Sequence, residues 1–205
     1  MFHHGGGRKE PRRRETLDAP QGSVIFHPKP GVLSMYTPAI DNPHRERFTL
    51  RISRKDHDEM SASAEAEHPE ECCGLLFSGP EGTEVVPMPN LQNQLHAENP
   101  ETYRRDARKA YNMDPLEKER LIEKKEAEGM PLAAIYHSHP EEKSYFSETD
   151  SKAAAAFGGE PTYPGVVYLI YSVIDGKVTD LKAFDWSETE ERYTEVPLEI
   201  EDPGA

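Results

Sequence analysis

Leu132-Ala-Ala-Ile-Tyr-His-Ser-His-Pro140 decides how this chain is read. Its first five residues form an apolar run of the length of a buried strand, and they lead into two histidines at i and i+2. Side chains alternate across a strand, so His137 and His139 point to one side of the sheet and Ser138 to the other. Two imidazoles that converge at a strand end can take the same ion. Asp150 lies eleven residues beyond His139, a distance that a tight loop and one helical turn can close. Two nitrogens, one carboxylate and an open fourth position for water are the donor set of a catalytic rather than a structural zinc.

Immediately downstream, Ser147-Glu-Thr-Asp150 has the spacing of a helix cap, a serine with an acid three residues on. Lys152-Ala-Ala-Ala-Ala-Phe157 then has high helix propensity before Gly158-Gly159 stops it. Asp150 is not expected to serve both the cap and an ion, so it is assigned to the ion and Ser147 is left to cap or to catalyse. A metal-bound water also needs a base that takes its proton and hands it to a leaving amine. Glu71, next to Glu70 at the start of the Cys72-Cys-Gly-Leu-Leu-Phe77 run, is the candidate, although 38 acidic residues offer others.

Further out, Phe48, Leu50 and Ile52 alternate with polar residues as in a half-buried strand, and Ser53 can cap a helix running to about His68. Cys72–Phe77 and Glu84–Met88 suggest a hairpin. Asn90–Asn112 has no sustained period, which in a compact domain marks a functional or mobile connection. Asp114 and Pro115 open a helix that ends at Gly129. Val166–Val173, the Asp175-Gly176 turn and Val178–Trp186 read as a second hairpin, with Arg192–Val196 as a further edge strand.

The length of 205 residues accommodates one domain with a tail. Residues 1–45 read as a flexible extension with one short docked piece at Val24-Ile25-Phe26, residues 46–196 as the domain, and residues 197–205 as a polar tail. A formal charge of −14 argues against a nucleic-acid-binding body, although residues 1–14 carry five basic residues and one acid. No apolar stretch reaches the roughly 20 residues of a membrane span, and the first residues lack the hydrophobic segment of a signal peptide. Cys72 and Cys73 are adjacent and cannot staple distant segments. A cytoplasmic setting is the expectation.

Glu71, His137-x-His139-Pro140 and Ser147-x-x-Asp150 together resemble the JAMM (JAB1/MPN/Mov34) metallopeptidases, and His68-Pro-Glu-Glu-Cys-Cys-Gly-Leu-Leu-Phe-Ser-Gly79 is similar to the segment that carries their catalytic glutamate. The resemblance covers roughly residues 48–186. It implies an α/β (α+β) fold with a mixed, mostly antiparallel curved sheet flanked by helices, of the JAMM/MPN-like, cytidine-deaminase-like architecture. It also implies one Zn2+ per chain held by His137, His139 and Asp150, with Glu71 as general acid–base and Ser147 stabilising an oxyanion. The implied substrate is a ubiquitin-like or sulfur-carrier protein, cut at the peptide or isopeptide bond after its C-terminal Gly-Gly. Where many bacterial relatives place proline before the serine, this chain has Phe146. Two other readings stand beside the peptidase: a non-catalytic MPN-type interaction module, and a metal-dependent protein linked to DNA processing through its basic arm.

Overall fold

The computed structural model describes residues 49–155 and 159–202. The expected extension, its Val24–Phe26 piece, the basic arm, Phe48 and Phe157 lie outside them. Leu50 and Ile52 are buried on either side of an exposed Arg51 in β1 (Leu50–Ser53). Ser53 then caps α1 (Arg54–Glu67): its Oγ accepts from the Asp56 amide at 3.1 Å and donates to Asp56 Oδ2 at 2.6 Å. β2 (Cys73–Gly79) and β3 (Gly82–Met88) form the first hairpin. A short helix α2 (Gln92–Glu98) follows, and then α3 (Pro115–Ala127), whose first turn is capped by Asp114.

β4 (Leu132–Pro140) leads through α4 (Glu148–Ala154) to β5 (Val167–Ile174). β6 (Lys177–Ser187) and β7 (Arg192–Val196) continue the sheet as antiparallel neighbours. Asp175 and Gly176 both have positive φ, at 50° and 73°, the backbone required by the tightest hairpin turns.

The main sheet has six strands in the order β3-β2-β4-β5-β6-β7. Only β4 and β5 run parallel within it, because α4 supplies the crossover that a parallel pair requires. The architecture is therefore α+β with a mixed, mostly antiparallel sheet. Alternation along the strands makes a core on each face. Leu76, Tyr136, Leu169 and Tyr171 pack with Met60 and Ala64 of α1 on one side. Leu75, Phe77, Ile135 and Ile170 pack with Ile122 of α3 and Ala154 of α4 on the other.

One stretch departs from the expected boundaries. Within the anticipated polar tail, β8 (Leu198–Glu201) pairs in parallel with β1, register Leu50↔Leu198. Leu198 and Ile200 pack against the α1-side core, while Arg51 meets Glu199 at 3.3 Å and Glu201 at 3.5 Å. Two apolar residues alternating with two acids are enough for a strand when a partner is present, but too few to stand out in sequence between Pro197 and Pro203. No helix among the described residues is long and apolar enough to cross a membrane.

Candidate metal centre

The odd-numbered residues of β4 face α3 and α4, so His137 and His139 follow Ile135 onto that side at the strand's C-terminal end. His137 pairs across the ladders with Cys73 of β2 and Ile170 of β5, in the middle of the sheet, and is fully buried. His139 is held by the loop that follows it, its Nδ1 lying 3.1 Å from the carbonyl of Lys143. A proton on Nδ1 directed at that carbonyl leaves Nε2 with a free lone pair. His137 Nδ1 is buried with no hydrogen-bond partner, so the polar neighbours of this ring all lie at Nε2.

The two Nε2 atoms stand 3.2 Å apart. Asp150 closes the group, with Oδ1 at 3.5 Å from His137 Nε2 and Oδ2 at 3.7 Å from His139 Nε2. Among the described residues this is the one cluster of three or more such side chains whose donor atoms lie within 4.8 Å of one another. A tetrahedral ion held at about 2.0–2.1 Å sets its donors about 3.3 Å apart. The three separations surround that value, and the donors are two neutral-capable imidazoles and a carboxylate, so the residues fit a zinc-like ion.

Asp150 also caps α4, which corrects the expectation that cap and ion exclude each other. Its Oδ2 accepts the Ser147 amide at 2.8 Å, and its own amide donates to Ser147 Oγ at 3.1 Å. A carboxylate has lone pairs enough for both tasks. Burial pushes the Asp150 pKa up, but His137, His139 and Ser147 outweigh burial and hold it well below the usual carboxylate range. Burial lowers the pKa of His137. At His139 burial acts the same way, but Asp150, the Lys143 carbonyl and Glu71 reverse it and raise the pKa.

Glu71 lies just before β2 and lines the same cavity of about 490 Å³ as His139, Ser147 and Asp150. It is 7% exposed, and burial pushes its carboxyl up to about 8. Its backbone is fixed on both sides: its amide donates to the Ala107 carbonyl at 2.7 Å, and Asn90 Nδ2 donates to its carbonyl at 2.9 Å. Thus the stretch Asn90–Asn112, legible only as irregular, is the support of the buried acid. α2 was not foreseen within it, because seven residues with the single aliphatic Leu95 show no period.

The structure also gives roles to two aromatic residues that sequence reasoning had not assigned. Tyr111 stacks on His137 with ring centroids 4.6 Å apart and seals the buried side of the centre. Phe146, noted in the sequence beside Ser147, inserts among Tyr168, Phe184 and Tyr193 at 4.9–5.4 Å and anchors the loop that carries Ser147. An aromatic residue beside a cap serine was the available signal. Ser138, directed to the opposite face, accepts from the Cys72 amide at 2.9 Å. Both cysteines are buried, and burial pushes the Cys72 thiol up to about 12 and that of Cys73 higher still, so neither is a thiolate nucleophile at neutral pH.

Residues 53–187, the segment that contains all five of these side chains, match the family described as prokaryotic homologs of the JAB domain. The chain belongs to this family. A desampylase of Haloferax volcanii is 33% identical over 155 residues, covering 75% of this chain and 97% of the relative. A CysO-cysteine peptidase of Mycobacterium tuberculosis is 33% identical over 139 residues, 64% of this chain and 81% of the relative. The solution structure of a Desulfitobacterium hafniense protein shares the fold at a TM-score of 0.55 and 22% identity, covering 75% of this chain and 94% of that one. The JAB domain here thus carries two histidines at the C-terminal end of β4 and an aspartate in the first turn of α4, with a buried glutamate in the cavity beside them.

Proposed function

We propose that this JAB domain is a zinc-dependent peptidase that hydrolyses the peptide or isopeptide bond after the C-terminal Gly-Gly of a ubiquitin-like or sulfur-carrier protein. His137, His139 and Asp150 would hold the ion. When bound, zinc supplies Lewis-acid polarisation of the scissile carbonyl and lowers the pKa of a bound water. In its carboxylate form, which a cation held by the three donors would favour, Glu71 takes a proton from the attacking water as the water oxygen bonds to the carbonyl carbon. The same carboxyl then gives that proton to the amine nitrogen as the C–N bond breaks, leaving a free amine and, on the carrier, a carboxylic acid that ionises by losing the second water proton to solvent. Ser147 Oγ accepts from the Asp150 amide through a lone pair and keeps its O–H to donate to the developing oxyanion. The names of the archaeal and mycobacterial relatives support the choice of substrate class. Two buried free thiols suit a reducing compartment, so the reaction is assigned to the cytoplasm.

The observation that carries this reading is the buried Glu71 carboxyl in one cavity with His139 and Asp150, two of the three donors at tetrahedral spacing. A structural ion would need neither the proton carrier nor the cavity. The test is Glu71→Gln, assayed for cleavage of a Gly-Gly-linked carrier fusion and for bound zinc. Retained zinc with turnover reduced at least about a thousandfold is expected from the loss of the only proton carrier. Cleavage at the parental rate would remove Glu71 from the mechanism.

A further inference from the structure

Basic side chains gather on the cavity wall of an acidic chain, beside Glu71, Glu142 and Asp150. Acidic residues outnumber basic ones by 38 to 24, yet Arg105, Arg108, Lys109 and Lys118 line the space in front of Glu71 and Asp150. Lys109 is paired with Glu142 at 2.5 Å, and Lys118 lies 4.0 Å from Glu119 and 5.0 Å from the centre of the Tyr163 ring. Like Arg108, Arg105 makes no ion pair among the described residues, but of the two it is the one whose side chain is tied beside the candidate ligands. Its Nη1 donates to Thr149 Oγ1 at 2.8 Å and approaches the Lys109 carbonyl at 3.5 Å, and neither partner is an acid. Its charge acts at longer range on Glu71 and Glu148, but among the described residues no carboxylate pairs with the guanidinium directly, so its remaining donors face a group that enters the cavity.

Arg105 is also fixed relative to the reacting groups. Gln92, itself buried, donates from Nε2 to the Arg105 carbonyl at 2.6 Å. Two residues on, the Ala107 amide donates to Asn93 Oδ1 at 2.9 Å, and the Ala107 carbonyl takes the Glu71 amide. At its far end the guanidinium is tied to Thr149, the neighbour of Asp150. The base is held by the same polar network as the catalytic acid and reaches across to the helix of the carboxylate ligand.

This placement bears on the leaving group and rests on the peptidase reading. The departing amine must lie at Glu71 to receive its proton. If the amine belongs to a single amino acid, a free α-carboxylate sits two bonds away, in the cavity that Glu71 and Arg105 both line. If it belongs to a lysine side chain, a four-carbon stem follows and no carboxylate is near. A guanidinium offers a planar fork of donors matched to a carboxylate. We propose that Arg105 is a specificity-determining residue that binds the α-carboxylate of a one-residue leaving group, so that the preferred substrate is a carrier ending in Gly-Gly-X with a free C-terminus rather than a lysine isopeptide.

The test uses the full-length zinc-loaded protein and three probes built on CysO: Gly-Gly-Cys with a free carboxylate, the same with a C-terminal amide, and a Gly-Gly isopeptide to the Nε of a lysine peptide. Wild type should cleave the acid about tenfold more efficiently than the amide in kcat/KM, the scale of one charge-assisted contact. Arg105→Gln should bring the acid-to-amide ratio to within about twofold, and Arg105→Lys should restore part of it. A variant that lowers both rates alike and keeps the ratio has lost only a tether between loop and helix, and overturns the proposal. Equal cleavage of acid and amide by wild type, or a preference for the isopeptide, also overturns it while leaving the peptidase reading intact. Failure to cleave any of the three counts against the peptidase reading and removes this inference with it.

Discussion

Ser147 and Asp150 hold each other reciprocally, amide to carboxylate at 2.8 Å and amide to hydroxyl at 3.1 Å, while the same carboxylate faces His137 at 3.5 Å. One carboxylate thus serves both a helix cap and a group of three donors that could hold an ion. The aspartate cannot rotate away from the histidines without breaking the first turn of α4, so the cap orients the third donor before any ion arrives.

Ser147→Ala should therefore show two separable losses. Removing the cap acceptor costs about 1 kcal/mol of stability, and removing the hydroxyl donor lowers kcat by about a hundredfold. Ser147→Thr keeps both groups and should recover most of each. Urea denaturation and steady-state kinetics on the three proteins check this, and a fully active alanine variant would take the oxyanion role away from Ser147.

The buried acid predicts a pH-dependent stability for the metal-free protein. Glu71 is pushed up to about 8 by burial, against about 4.3 in an unfolded chain. The folded state thus binds this proton more tightly. Its contribution is full below the unfolded value and is lost as pH rises from about 4.3 to about 8, by roughly 3–5 kcal/mol at 1.4 kcal/mol per unit. Glu71→Gln cannot ionise and should gain on wild type steadily across that window. Melting of both proteins in chelator from pH 5 to 8 measures the difference, and parallel curves would contradict the burial argument.

The parts of this molecule that could be read in sequence are those whose information is local. Leu132–His139 announces a buried strand by its apolar run and a site by its histidine spacing, and α3 carries its own proline, cap and terminating glycine. α2 and β8 could not be read, because seven and four residues carry too little period and both depend on partners distant in sequence. At the centre the donors were legible from spacing and family resemblance. The second task of Asp150, the stacking of Tyr111 on His137 and the reach of Arg105 to Thr149 arise only when separate elements meet.

Gly74 of β2 packs tightly against its ladder partner Tyr136, one residue before His137. A Cβ there would stand 2.4 Å from the ring of Tyr136, which is fully buried on the neighbouring strand. Gly74→Ala should destabilise the protein by about 1–3 kcal/mol or more through overpacking. Chemical denaturation checks it, and an unchanged midpoint would show that the ring moves freely.

Phe146 should matter to stability and to catalysis together. Its ring lies 4.9–5.4 Å from those of Tyr193, Tyr168 and Phe184. Phe146→Ala is expected to cost about 2–3 kcal/mol, below the value for a fully buried phenylalanine because the residue is only partly covered. The loop to Ser147 loses its anchor, so kcat should fall more than KM changes. Unaltered kcat in a destabilised variant would confine Phe146 to packing.

Zinc content per chain is the most direct test of the central claim. Protein prepared without a histidine tag is reconstituted with zinc, dialysed and subjected to elemental analysis, with folded His137→Ala treated in parallel. One zinc per wild-type chain, absent from the variant, is the predicted result. No retained zinc in folded wild-type protein, or equal zinc in both, would contradict a metal centre at His137, His139 and Asp150.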